Sequence, residues 1–430
     1  MIIEFKFKNW MSFKDEVKLS MIASKERQHR ESLPYLAKYD LHLLPIVAIY
    51  GGNASGKSNL VKAMEFVHDF ISERNPPEAP IFVQPFALNP NAKNEPSEFE
   101  VLFEINDTMY EFSFAADSKK VHRESLFEVS PSGKKSLRFN RTGNNFDFFK
   151  KDQFLEFVGK STRENELFLS KSIDQNVRYF KPLFDWFSND FDVILPQSIF
   201  GFPRFYVEDE VANEVRDILN SLDTGIMRLG TRKVSSESLP KLKVQSLNEN
   251  LKEGHESNLF NATGSRRILA TKNKGKVLFE ELVSYHLGEG GKQVEFGLDQ
   301  ESDGTRRTLD LLPAFIPKVL SNSTTTFVVD ELDRSLHHLL TRALIQRYLL
   351  SCSKKSRTQL IFTTHDLLLM DQNLLRRDEM YVTERVQNGS TTLFSLSEYK
   401  EIRYDKDIRK SYLQGRLGGI PHILLEECRR

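Results

Sequence analysis

Residues 45–60 read PIVAIYGGNASGKSNL. Ile46-Val47-Ala48-Ile49-Tyr50 is an unbroken apolar run rich in β-branched residues, which predicts a short strand buried on both faces. Gly51-Gly52-Asn53-Ala54-Ser55-Gly56-Lys57-Ser58 fits G-x-x-x-x-G-K-[ST] without departure. From Asn59 to Ile71 apolar residues recur at helical spacing, at Leu60, Ala63, Met64, Val67, Phe70 and Ile71. Strand, glycine loop and helix are the context in which this motif cradles phosphate. Glycines let successive N–H groups turn inward, and the helix aims its positive end at the same charge. The candidate contacts are Gly51, Asn53, Ala54, Ser55, Gly56, Lys57, Ser58 and Asn59. Lys57 is expected to reach the β- and γ-phosphates of ATP, and the Ser58 hydroxyl to ligate Mg²⁺.

Working outward, 430 residues suffice for about two or three domains. The formal net charge is zero, so global charge argues neither for nor against a nucleic-acid partner. Cys352 and Cys428 lie far apart and form no ligand spacing, which suits a reducing compartment and gives no disulfide framework. No run approaches the ~20 apolar residues of a membrane helix. The first ten residues, MIIEFKFKNW, alternate like a strand and do not form a signal peptide. A cytoplasmic protein with no membrane partner is the expectation.

Ile2 to Lys8 and Val17 to Met21 alternate apolar and polar, as half-buried strands do. Trp10 and Phe13 between them are compatible with core packing or with stacking on an adenine. After the break at Asn75-Pro76-Pro77, alternating runs at 98–105, 109–115, 126–130 and 137–140 predict an antiparallel meander. Residues 154–187 read as helices with Leu155, Phe157, Leu169, Tyr179, Leu183 and Trp186 on the apolar face, and 207–222 as another. Residues 225–276 lose periodicity and gain positive charge, with Arg228, Arg232, Arg266 and Arg267 among others. This stretch is expected to be a solvated insertion, the alternative being a surface for nucleic acid or an acidic partner. The domains expected are a lobe at 1–150, a helical and basic insertion at 151–295, and a second lobe at 296–430.

Three further stretches define the chemistry. Thr325-Thr326-Phe327-Val328-Val329-Asp330-Glu331 is a buried strand ending in two carboxylates. Asp330 suits Mg²⁺, and Glu331, where the chain leaves the sheet, suits polarisation of a water attacking the γ-phosphate. Gln359 to His365 is another buried strand, ending at a histidine able to sense that phosphate. Glu301-Ser302-Asp303-Gly304-Thr305 leads into a helix over about 308–320, a second anion-seeking helix end. One chain needs one glycine loop per γ-phosphate, so Ser302 and Gly304 are expected to serve the nucleotide of another subunit.

The order of glycine loop, Ser302–Gly304 signature, Asp330–Glu331 strand, Asp333 turn and His365 resembles the ABC-type ATPase heads of the SMC, RecF and OLD proteins. Asp303 stands where many members have glycine. The resemblance implies an α/β fold of P-loop NTPase type, with a mixed central sheet, an antiparallel β lobe and a helical insertion. It also implies two heads closing head to tail around two ATP molecules. Residues 7–13 (FKNWMSF), 50–58, 301–307 and 412–421 (YLQGRLGGIP) resemble the bacterial AAA-15 ATPases of RloA and AbiL type, related to the ATPase subunits of retron and PARIS systems. That implies anti-phage defence beside a separate effector, often a nuclease. Gln84 is the candidate Q-loop residue on the metal side. About 65 residues follow His365, too few for the Toprim nuclease of OLD proteins, so the chain is read as a regulator without its own nuclease. Arg403, Lys406, Arg409, Lys410 and Arg416 near the end are compatible with a contact to a partner, nucleic acid or nucleotide, or with solvated helix charge.

Overall fold

The computed structural model describes residues 1–201, 204–207, 209–261, 264–316, 323–399 and 407–419, without the side chains of 205, 209 and 210. Arg403, Lys406, Ile420, Pro421, Cys428 and the expected helical residues 317–320 lie outside these. The chain forms two compact units: Met1–Pro196 with Ser323–Leu332 and Leu349–Arg430, and Gln197–Asn322 with Asp333–Tyr348.

The first unit contains two large sheets and a two-stranded one, Tyr35–Leu36 with Leu41–His42. One has seven antiparallel strands, in the order Asn145–Phe148, Lys135–Thr142, Val121–Val129, Thr108–Ala116, Ser97–Ile105, Ile2–Lys8 and Val17–Ser20. The alternating runs are therefore the expected meander, closed by the N-terminal strands. The other has six strands, in the order Phe191–Ile194, Thr326–Val329, Gln359–Thr363, Ile46–Tyr50, Met380–Arg385 and Thr391–Ser395. Its first five are parallel, and only the last runs against its neighbour. Parallel strands covered on both faces read as unbroken apolar runs, which is why 46–50 and 326–329 carry no polar alternation.

Trp10 is core, packed at a tilt against Phe66 with ring centroids 5.0 Å apart, so the adenine-stacking alternative for it falls. The helices Gln153–Ser161, Phe168–Asp174 and Lys181–Asn189 belong to this unit, which runs on past residue 150. Two contacts tie them to the meander. The Glu124 carboxylate, fully buried beside Arg141, accepts the Phe168 and Leu169 N–H groups at 2.7 and 3.0 Å, capping a helix from the sheet. Trp186 stacks on Phe103 at 4.8 Å. Phe157 and Tyr179, expected on the apolar face, are instead exposed on its margin.

The second unit corrects the reading of 225–276. This stretch is ordered: its strands Ile226–Lys233, Glu256–Phe260 and Arg267–Asn273, with the helix Lys241–Asn250 between the first two, join Lys276–Leu287 and Gln293–Gly297 in antiparallel array. Three of its arginines have partners on the Lys276–Leu287 strand. Arg232 and Arg266 both bind Glu281, at 2.9 and 2.7 Å, and Arg228 lies over the Tyr285 ring at 3.7 Å. Their acids lie beyond residue 276, outside the window that looked unbalanced.

A buried ionic cluster fixes the start of the Met380–Arg385 strand. Arg376 holds Asp378 at 2.6 Å, Arg377 holds Glu26 at 2.6 Å, and Glu379 accepts the Arg376 N–H at 2.8 Å. Burial pushes the Glu379 carboxyl up to about 8 from an ordinary 4.5. Within that window the folded chain keeps a proton that the unfolded chain releases, so stability falls as pH rises. Denaturant midpoints are expected to decline from about pH 5 to about pH 8. Glu379→Gln, which mimics the protonated form, should flatten that decline.

Candidate functional site

The parallel strands of the first unit end at one edge. Val329 pairs with Phe362, Thr363 with Ile49, and Val382 with Tyr50. The residues that follow each strand therefore gather along the carboxyl edge, where open α/β sheets bind ligands. The Gln359–Thr363 strand lies between the glycine-loop strand and the acid strand.

The loop turns tightly into the helix Lys57–Ser72, with φ of 150° at Gly51 and 104° at Gly56. A Cβ on Gly51 would sit 2.5 Å from Thr383 Oγ1, and one on Gly56 2.5 Å from Thr391 Oγ1. The hairpin Met380–Arg385/Thr391–Ser395 thus forms the wall against which the loop is pressed. Ser55 Oγ hydrogen-bonds Thr383 Oγ1 at 2.7 Å, and the Asn59 amide donates to Ser12 Oγ at 2.9 Å. Asn53 and Ala54 are exposed at the loop crest. Lys57 is buried, its Nζ donating to the carbonyls of Gly51 and Gly52 at 2.9 and 3.1 Å.

Asp330 is 3% exposed. Its Oδ1 accepts from Ser58 Oγ at 3.2 Å and from Thr363 Oγ1 at 2.6 Å. Thr363 Oγ1 in turn accepts the Glu331 N–H at 2.8 Å, and the Thr363 carbonyl accepts the Leu332 N–H at 3.0 Å. These bonds hold Glu331 at φ 50°, a left-handed conformation that costs a non-glycine residue roughly 1–2 kcal/mol. Glu65, on the same face of the loop helix, has its carboxyl pushed up by burial, then by Asp69, with a smaller contribution from Asp330.

The donor set fits a small hard cation. A hydroxyl and a carboxylate share one hydrogen bond at the start of a helix, and Mg²⁺ typically takes one or two such protein oxygens plus phosphate and water. Among the described residues no cluster of three or more His, Cys, Asp or Glu makes a self-sufficient metal cage.

His365 is exposed just past the sheet edge, where Thr364 N–H donates to Ile49 O at 3.1 Å. The Gln84 side chain is exposed, and its carbonyl accepts the Met11 N–H at 2.6 Å. Ser302 and Gly304 belong to the second unit, whereas the other candidates belong to the first. Ser302 caps the helix Asp303–Leu311, its Oγ accepting the Thr305 N–H at 3.0 Å. A Cβ on Gly304 would come 2.6 Å from the Ser335 carbonyl, so the turn after Asp333 packs directly on this helix start. Asp303 projects outward and pairs with Arg306. Behind Ser302, Glu301 accepts from His286 Nε2 at 2.6 Å.

Sequence reasoning assigned no role to Thr363, Thr383, Thr391 or Ser12. The available signal for Thr363 was a hydroxyl ending an otherwise apolar buried strand.

Residues 46–371 match the family described as "AAA domain, putative AbiEii toxin, Type IV TA system". The chain belongs to this AAA domain family. No curated protein matches it. Among solved structures, the SMC head domain from Thermotoga maritima aligns over 92% of this chain and 98% of that chain, at 14% identity and a TM-score of 0.34. An SMC head bound to the C-winged helix domain of ScpA aligns over 92% of this chain and 97% of that chain, at 14% identity and a TM-score of 0.39. Among the described residues no helix is long and apolar enough to cross a membrane.

Lys57→Ala removes a charged donor from the loop and is expected to weaken ATP binding ~10–100-fold, read by titration calorimetry. Unchanged affinity would remove the loop from consideration.

Proposed function

We propose that this AAA-family chain binds and hydrolyses ATP as an ABC-type head, closes into a homodimer around the nucleotide, and controls a separate effector protein in bacterial anti-phage defence. The observation that carries the reading is the chain of hydrogen bonds Ser58–Asp330–Thr363–Glu331 beside an intact glycine loop. It brings a hydroxyl–carboxylate pair and a second carboxylate to one sheet edge, which supports the reading of a cation site beside a general base.

In this reading the backbone of Gly51 and of residues 53–59 cradles the phosphates, and Lys57 neutralises their charge. Ser58 and Asp330 hold Mg²⁺, which supplies charge neutralisation at the β- and γ-phosphates when bound. Glu331 orients and polarises the attacking water, accepting its proton as the water oxygen bonds to the γ-phosphorus and the bond to the β–γ bridging oxygen breaks, so that ADP leaves. His365 reports the γ-phosphate from the sheet edge. Gln84 is assigned to the metal side by its order in the chain alone. Ser302 and Gly304 present a helix end to the γ-phosphate held by a second copy.

The family description supports a toxin–antitoxin or defence setting, and the resemblance of four sequence stretches to RloA- and AbiL-type ATPases favours that subtype. The effector, in this reading a nuclease, is a separate chain in the cytoplasm. A RecF-like repair head is the rival. It is disfavoured because Arg232 and Arg266, part of the basic stretch that would hold nucleic acid, pair with Glu281.

Glu331→Gln is expected to keep ATP affinity, drop turnover ~100-fold or more, and hold an ATP-dependent dimer through size exclusion. Hydrolysis at the wild-type rate would refute the assignment. Thr363→Val keeps side-chain shape but removes the hydroxyl, and should cost ~10–100-fold in Mg²⁺-dependent turnover. Rescue by Thr363→Ser would separate that loss from a packing defect.

A further inference from the structure

Residues 412–419 read YLQGRLGG. In the fold they reach the glycine loop. The Gly52 N–H donates to the Gly419 carbonyl at 2.9 Å. The Tyr412 hydroxyl donates to the same carbonyl at 2.8 Å. The Gly419 N–H donates to Glu384 Oε1 at 3.2 Å. Leu417 is buried, and its carbonyl accepts from the Tyr399 hydroxyl at 3.4 Å.

The approach is close enough to require glycine. Gly419 has φ of 69°, and a Cβ there would lie 2.3 Å from Val382 Cγ1. Val382 and Glu384 belong to the same strand as Thr383, whose hydroxyl binds Ser55 Oγ and the Tyr50 carbonyl at 2.7 and 3.2 Å. That strand therefore holds the loop directly through Thr383 and indirectly through Gly419. Burial, and then the nearby Glu384 carboxylate, push the Tyr412 hydroxyl up to about 12, so it remains a donor at neutral pH.

Gly52 immediately precedes the amides at 53–58. Its own N–H is taken by Gly419, so it is oriented by the protein and is not itself aimed at an anion. An amide cradle binds tightly only if its geometry is set before the ligand arrives, because ordering it on binding costs affinity. A Gly-Gly pair is the least ordered start a loop can have.

We propose that the segment 407–419 is a positioning element for nucleotide binding: the Gly419 carbonyl, oriented by Tyr412 and Glu384, fixes the Gly52 amide and presets the glycine loop for a triphosphate. The proposal rests on the reading of the loop as an ATP site. Coupling of this kind is reciprocal: if docking of the segment favours ATP, ATP must favour docking of the segment.

The test uses the full chain with Mg²⁺ and ATP. Tyr412→Phe removes one hydroxyl and is expected to raise the ATP Kd ~2–10-fold, the effect of one neutral hydrogen bond. Gly419→Ala, which forces the segment off Val382, should raise it further. In the wild-type chain, ATP should slow amide hydrogen exchange across 412–419, and Lys57→Ala should shift that slowing to ~10–100-fold higher ATP. A merely structural segment would show neither the Kd change in a variant with unaltered circular dichroism nor ATP-dependent protection. Wild-type ATP affinity in folded Tyr412→Phe and Gly419→Ala chains would overturn the proposal and leave the loop assignment intact. So would exchange at 412–419 that ignores ATP. If Gly419→Ala does not fold, Tyr412→Phe and the wild-type exchange experiment decide. A wild-type chain that binds no ATP would overturn both.

Discussion

A carboxylate as buried as Asp330 is tolerable only if its oxygens are satisfied, and one of them takes two hydroxyl groups, from Ser58 and Thr363. That requirement propagates. Thr363 must follow directly on Phe362, the partner of Val329, so the two strands are locked in register; a slip of one residue would turn its hydroxyl to the opposite face. Ser58 must open its helix within reach, which fixes where the glycine loop ends. Thr363 also binds the Glu331 and Leu332 amides, so one residue governs both the acid that is buried and the acid that turns outward. The left-handed backbone at Glu331 persists because these bonds over-determine it.

The parts legible in the sequence are those in which one short window carries the whole physical signal. The strand 46–50, the loop and the first helix form one uninterrupted run, with the helix observed at Lys57–Ser72 against the expected start at 59. The meander was legible because each strand has one wet face, which leaves alternation in the sequence. The acid strand was legible because its apolar run stops abruptly at two carboxylates.

The parts that were not legible depend on partners far along the chain. The sheet of the second unit looked like a charged loop because Arg232 and Arg266 find Glu281, outside the stretch being read. Charged cross-strand pairs stabilise a sheet, yet in one dimension they resemble solvated chain. The helices at 153–189 looked like the start of an insertion, but Trp186 and Phe187 complete the core of the meander, so the first unit extends to Pro196. Thr383, Thr391 and Gly419 act on the loop from more than three hundred residues away, and no local periodicity encodes that.

The state of Ser302 bears on whether a helix end of this kind is able to serve a phosphate at all. Its hydroxyl oxygen already accepts the Thr305 N–H, a cap worth about 1 kcal/mol. A hydroxyl has one proton to donate and two lone pairs to accept with, so the cap leaves donation to an anion open. The geometry with Thr305 Oγ1, 2.9 Å away, allows either hydroxyl to be the donor, so turning the Ser302 proton outward need not break that contact. A charge-assisted bond contributes roughly 1.5–3 kcal/mol, more than a neutral contact does. The exposed Asp303 beside it is the opposing feature, since its carboxylate repels an approaching phosphate, but Arg306 is paired with it and offsets that charge. The helix end is thus already organised as a cap and remains chemically competent to donate to a triphosphate brought to it.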